Sequence, residues 1–141
     1  PREQRANEIR LALTEVAGRI PLPSATCVVP VRMQEAWLLF NEIALRRAAA
    51  NPNGHDELGL PPLATVEQIP DPKQLLHDRL RQACGLRGRR RRQFNVTQAV
   101  HRLAQFCEET GFAPLRELPA FTLLEADVQQ IVIDNGWNAQ V

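Results

Sequence analysis

Ser24 is the only serine in the chain, and neither it nor a cysteine stands in a nucleophile elbow such as Gly-x-Ser-x-Gly. Covalent hydrolase chemistry is therefore disfavoured. The histidines, His55, His77 and His101, lack His-x-x-x-His spacing, and neither Gly-x-Gly-x-x-Gly nor the phosphate-loop pattern occurs. No zinc helix and no nucleotide cofactor held by this chain is indicated. Cys27, Cys84 and Cys107 lie far apart and are odd in number, so they make neither a zinc site nor a complete disulfide framework. They read as reduced, mostly buried small hydrophobes. No apolar run is long enough to span a bilayer, and the charged opening Pro1–Arg10 is unlike a signal peptide. A cytoplasmic protein with no membrane partner is expected.

What the sequence has is a composition able to bury a core: 141 residues, 44% hydrophobic and 23% charged, the balance of one ordinary globular domain. The formal net charge of +1 gives no global electrostatic argument for a polyanionic partner. The choice and placement of the basic residues does. Lys73 is the only lysine; every other cation is arginine, whose flat fork of donors suits phosphate and carboxylate, although an arginine-rich genome would produce the same usage. From Arg79 through Cys107 there is no Asp or Glu, while Arg79, Arg81, Arg87, Arg89, Arg90, Arg91, Arg92 and Arg102 accumulate. Such a stretch attracts polyanions, and Gly85 and Gly88 let a ligand approach the backbone. The alternative is a solvated loop, or one paired with Glu108–Glu109 or Asp56–Glu57. With only Phe94 close by, base stacking is not indicated.

Hydrophobic periodicity predicts five helices. Ala6, Ile9, Leu13, Val16 and Ile20 form the stripe of a helix over Glu3–Ile20, stopped by Gly18 and Pro21-Leu-Pro23. A second helix is expected from Met33 to Ala50, with Met33, Trp37, Phe40 and Ala44 facing inward and the Glu42–Arg46 pair outside the stripe. Asn51-Pro-Asn-Gly54 ends it, and His55–Pro70 reads as an ordered surface loop. Asp71-Pro72 pairs an N-cap with a proline at the first helical position and starts a third helix, buried through Leu76, Leu80 and Ala83 until Gly85. Leu86–Phe94 is charge without pattern. Asn95 with Gln98 is a capping-box arrangement, opening a helix striped by Val96, Val100, Leu103 and Cys107. A last helix is expected over Pro114–Asn135, with Leu118, Phe121, Val128 and Ile131 inward.

Between the first two helices, Thr26-Cys-Val-Val-Pro-Val31 reads as a strand covered on both faces, with Pro30 near an edge or sheet exit. One strand cannot satisfy its own backbone groups. Its partners are expected either in Leu63–Ile69 or, preferably, in sequence preceding this chain, which lacks an initiator Met and begins inside a helical pattern. Glu35 follows the strand, where open α/β sheets collect functional groups at strand C-terminal ends. A carboxylate there also complements the helix dipole without any further role. Arg32 stands ready either to neutralise Glu35 or to face phosphate. Glu125 with Asp127, and Glu35 with Glu42, are not by themselves metal signals.

The segment Val28-Val-Pro-Val-Arg-Met-Gln-Glu-Ala-Trp-Leu-Leu-Phe40 resembles the strand-then-helix segment of RloB-like and related OLD-type TOPRIM proteins, in which a glutamate precedes an aromatic-aliphatic run. That family's glutamate after the first strand and Asp-x-Asp after a later one are absent here. The resemblance implies an α/β but mainly helical fold: the last strand and helices of a TOPRIM-like sheet over residues 1–50, then a helical extension with a basic loop over residues 51–141. It further implies a Mg²⁺-dependent, nuclease-like protein of bacterial genome or phage defence, working with an ATPase partner, compatible with an oligomer but of open oligomeric state, and acting on nucleic acid with DNA preferred over RNA. Only Glu35 carries over, as a catalytic and metal-binding acid. In that scheme Arg32, Arg87, Arg89, Arg90, Arg91 and Arg92 guide a nucleic-acid backbone, and this chain alone is not catalytic. The competing reading is a non-enzymatic module that binds nucleic acid or a protein through Arg87–Arg92.

Overall fold

Single capping side chains fix where three of the helices begin. In the computed structural model, which describes residues 2–27 and 34–137, six α-helices occur: α1 (Arg2–Ala17), α2 (Glu42–Ala48), α3 (Pro72–Ala83), α4 (Gly88–Arg92), α5 (Val96–Thr110) and α6 (Pro119–Asp134). Short 3-10 turns stand at Gln34–Leu38, Leu63–Gln68 and Ala113–Glu117. Asp71 Oδ1 accepts from Gln74 N at 2.8 Å and Asn95 Oδ1 from Gln98 N at 3.0 Å, so α3 and α5 start where their N-caps predict. The fold is mainly helical, with no strand among the described residues. Of the expected strand, Thr26 and Cys27 lack regular structure, and residues 28–31 lie outside the described residues. Leu63–Ile69, the alternative source of strands, is a 3-10 turn over Leu63–Gln68 with Ile69 as its C-terminal cap.

Residues 1–31 with 118–141 form one compact unit and residues 32–117 a second. In the second, α2 packs most extensively against α5, with α3 against both. The core is aliphatic: Leu39, Leu45, Leu58, Val66, Leu76, Leu80, Leu103 and Leu115 are essentially inaccessible, as are the small residues Ala44, Ala48 and Ala99 that let helices approach closely. Asn41 Nδ2 donates to Thr110 Oγ1 at 2.8 Å, Arg47 pairs with Glu109 at 3.0 Å, and the Arg47 guanidinium lies 4.0 Å from the Phe106 ring centroid. These contacts bracket the α2–α5 seam.

Two expected helices are interrupted, each for a local reason. Asn41 is extended (φ −120°, ψ 95°) and its side chain accepts from Ala44 N, so α2 begins afresh at Glu42 and the preceding segment is only the turn Gln34–Leu38. Met33 lies outside the described residues. Similarly, Pro119 forces Leu118 out of the helical region (φ −94°, ψ 123°), which separates the turn Ala113–Glu117 from α6. The Glu42–Arg46 pair forms, at 2.6 Å, but Arg46 is buried rather than outside the core: its Nη2 also donates to Asp56 O at 2.6 Å and so pins the turn after α2. The His55–Pro70 loop is anchored by buried Leu58 and Val66 and by Gln82 Nε2 donating to Glu57 O at 2.6 Å. Leu86–Phe94, read as patternless, contains α4.

In the first unit, α1 forms as expected, yet its stripe is only partly covered: Ala6 is buried while Ile9, Val16 and Ile20 are exposed. Cys27 Sγ lies 3.9 Å from Ala6 O, and Ser24 Oγ bonds the side chain of Asn135, tying the segment after α1 to the end of α6. On α6, Ile131 is half-buried but Val128 is exposed, so the inward stripe is incomplete. All three cysteines are free and buried.

Helix α2 ends in a Schellman arrangement, Asn51 N to Arg46 O and Ala50 N to Arg47 O both at 3.0 Å, with Ala50 in the left-handed region at φ 59°. A Cβ is disfavoured there, so Ala50→Gly is expected to raise stability by about 0.5–1 kcal/mol in urea unfolding. Leu103→Ala is expected to lower it by about 2–5 kcal/mol by the same measurement. Burial pushes the Cys107 thiol up from its ordinary 9.0 to about 11. The folded state thus favours the neutral thiol; that contribution is complete below the unfolded value and is lost as pH rises towards about 11. Unfolding midpoints measured across that interval should fall more steeply for the native chain than for Cys107→Ala.

Candidate nucleic-acid interface

The basic segment takes its shape from its two ends. Arg87 is extended (φ −122°, ψ 160°) and Gly88 sits at φ 57°, a left-handed conformation that glycine adopts freely, so the chain turns sharply into α4. Five residues form too short a helix to be stable alone, and α4 is held between the C-terminal end of α3 and the cap of α5. Arg89, Arg90, Arg91 and Arg92 follow one another at helical spacing and so fan around the axis instead of sharing one face. Together with Arg87 they are exposed. Among the described residues none of these guanidinium groups meets a carboxylate: Glu109 is taken by Arg47 and Glu42 by Arg46. Of the alternatives for this segment, pairing with Asp56–Glu57 or Glu108–Glu109 does not occur among the described residues, and the segment is solvated. The result is a knob of uncompensated positive charge.

Glu35 lies elsewhere in the same unit, in the 3-10 turn that packs on both α3 and α5. It lines a cleft of about 290 Å³ with Lys73 and His77 from the first turns of α3 and Thr97, Val100 and His101 from the first turns of α5. Lys73 and His77 are four residues apart, as are Thr97 and His101, so each pair shares a helix face. Glu35 and His77 are half-buried; Lys73, Thr97 and His101 are exposed. Among the described residues, none of these five polar side chains has a hydrogen-bond or ion-pair partner. One carboxylate thus stands among an ammonium, two imidazoles and a hydroxyl, all with unused hydrogen-bonding capacity.

The structure therefore brings Glu35 to the only lysine, noted in the sequence as a matter of composition, and to two of the three histidines, whose spacing there excluded only a zinc helix. The repeated i,i+4 separation, Lys73 to His77 and Thr97 to His101, was the available signal. Arg32 lies outside the described residues, so its relation to Glu35 is not part of the geometry. Among the described residues no three His, Cys, Asp or Glu side chains are grouped to hold a metal ion. Mg²⁺ favours carboxylate and phosphate oxygens over imidazole, so Glu35 could supply one ligand and the cleft's other groups do not complete the set.

No protein-family model, no curated protein and no solved structure matches the chain. The functional argument accordingly rests on the arginine knob and the cleft. No helix among the described residues is long and apolar enough to cross a membrane.

Proposed function

We propose that residues 32–117 form a nucleic-acid-binding module that grips the phosphate backbone through Arg87, Arg89, Arg90, Arg91 and Arg92. The observation that carries this reading is the unpaired state of those guanidinium groups. A phosphate-binding surface needs its guanidinium donors free, and here Glu42 and Glu109 are engaged by Arg46 and Arg47 instead. Backbone contact of this kind supplies affinity without sequence readout, in keeping with the half-burial of Phe94, the aromatic residue nearest α4 in the sequence. DNA is placed ahead of RNA as the partner on the TOPRIM resemblance.

That resemblance also supports a finer reading, in which Glu35 belongs to a Mg²⁺-dependent nuclease of bacterial genome or phage defence with an ATPase partner. The position of Glu35 in an open cleft beside Lys73 favours it over a purely structural helix-start charge. The ion's remaining acids would have to come from outside the described residues.

Replacing Arg89, Arg90, Arg91 and Arg92 by Ala should weaken binding of a DNA oligonucleotide and reduce the slope of log K against log salt by up to ~4. Fluorescence anisotropy at several salt concentrations measures this, and an unchanged slope would reject the reading. For the nuclease role, Glu35→Gln introduced into the full-length protein that supplies the remaining acids should abolish its Mg²⁺-dependent cleavage while leaving the circular dichroism spectrum intact; retained cleavage would leave Glu35 only its helix-start role.

A further inference from the structure

We infer that the cleft formed by Glu35, Lys73, His77, Thr97 and His101 is a subsite for a phosphomonoester, and that it distinguishes a terminal phosphate from an internal phosphodiester. This deepens the nucleic-acid reading and rests on it for the source of the phosphate, a strand terminus. The same chemistry could come from a free nucleotide. Lys73, His77, Thr97 and His101 come from two helices onto one cleft of about 290 Å³ and are unpartnered among the described residues. An ammonium, two imidazole N–H groups and a hydroxyl are donors suited to the oxygens of one phosphate.

Glu35 supplies the discrimination. A carboxylate among phosphate-binding donors repels any anion that cannot offer it a proton. A phosphodiester has no such proton. A phosphomonoester does, because its second ionisation lies near pH 6, and its P–OH can donate to the Glu35 carboxylate while its other oxygens accept from Lys73, Thr97 and the imidazoles. The arrangement therefore favours a strand end over the backbone that the arginines hold. Substrate-end recognition and backbone gripping are assigned to different side chains of the same unit.

The test compares 5′-phosphorylated and 5′-hydroxyl oligonucleotides of one sequence, and the matching pair at the 3′ end, by anisotropy in EDTA at pH 6.5. AMP and inorganic phosphate are titrated separately by NMR. A terminal phosphate at one end should tighten binding about tenfold, and Lys73→Ala or His101→Ala should erase that gain without changing affinity for the hydroxyl-ended strand. Glu35→Gln should narrow the gap by improving tolerance of the diester. If hydroxyl-ended strands bind through the arginines and neither terminal phosphate adds affinity, the inference fails while the nucleic-acid reading stands. If no strand binds but AMP shifts Lys73 and His101 resonances, the monoester site stands with a free nucleotide as its source and the nucleic-acid reading fails. If neither strands nor AMP engage the cleft, or if the gain survives a folded Lys73→Ala/His101→Ala double variant, the inference is overturned. A Glu35→Gln effect seen only when Mg²⁺ is present would likewise overturn it in favour of a metal ligand.

Discussion

The seam between α2 and α5 is the contact on which the rest of residues 32–117 depends. Helix α2 has seven residues, too few to persist in water by its own hydrogen bonds, so its existence follows from burial. Ala44, Leu45 and Ala48 are fully buried on one side of the seam, Ala99, Leu103 and Cys107 on the other. Small residues permit the close approach, and leucines fill what remains. With α2 seated, Asn51 Nδ2 reaches Ala83 O at 2.8 Å and joins the C-terminal ends of α2 and α3. Gly85, at φ 64°, lies against that asparagine, where an added Cβ would come within 3.0 Å of Nδ2. The exit of α3, and with it the entry to α4, is thereby fixed.

The placement of both candidate sites follows from this order of dependence. Once α3 and α5 are both held by the aliphatic core, their first turns and the turn bearing Glu35 enclose the cleft, while the linker between them carries the arginine knob. A rigid core presenting charged groups from its connecting segment is the usual division of labour between scaffold and site. The knob is costly as structure, since adjacent like charges repel, and α4 has no capping side chain and no buried residue to compensate. Placing cations at the C-terminal end of a short helix recovers only a fraction of a kcal/mol. That imbalance is what a bound polyanion would relieve.

How far the sequence reached depends on how local each signal was. Asp71-Pro72 and Asn95 with Gln98 specify helix starts within four residues, and both were legible because a cap needs no tertiary partner. The break at Asn41 was equally local, an N-cap followed by an acidic first turn, but it was masked by a continuous apolar pattern from Trp37 to Ala44. Pro119 was likewise overridden by the apolar stripe around it. Arg46 illustrates the opposite limit: its burial depends on Asp56 O, ten residues away and positioned by a turn, and no periodicity reveals that. The cleft was least legible, because Glu35, Lys73 and His101 are distant in sequence and meet only through helix packing. The arginine run was visible at once, yet whether it was paired could be read only from where Glu109 and Asp56 came to lie.

The central claim is that the arginine knob and the Glu35 cleft face the same polyanion. An amide chemical-shift map recorded while a 5′-phosphorylated single-stranded oligonucleotide is titrated into the isotope-labelled chain tests it most directly. The account predicts perturbations concentrated at residues 87–93 and at Glu35, Lys73, His77, Thr97 and His101. Shifts confined to α1 and α6, or none at all at low salt, would contradict it.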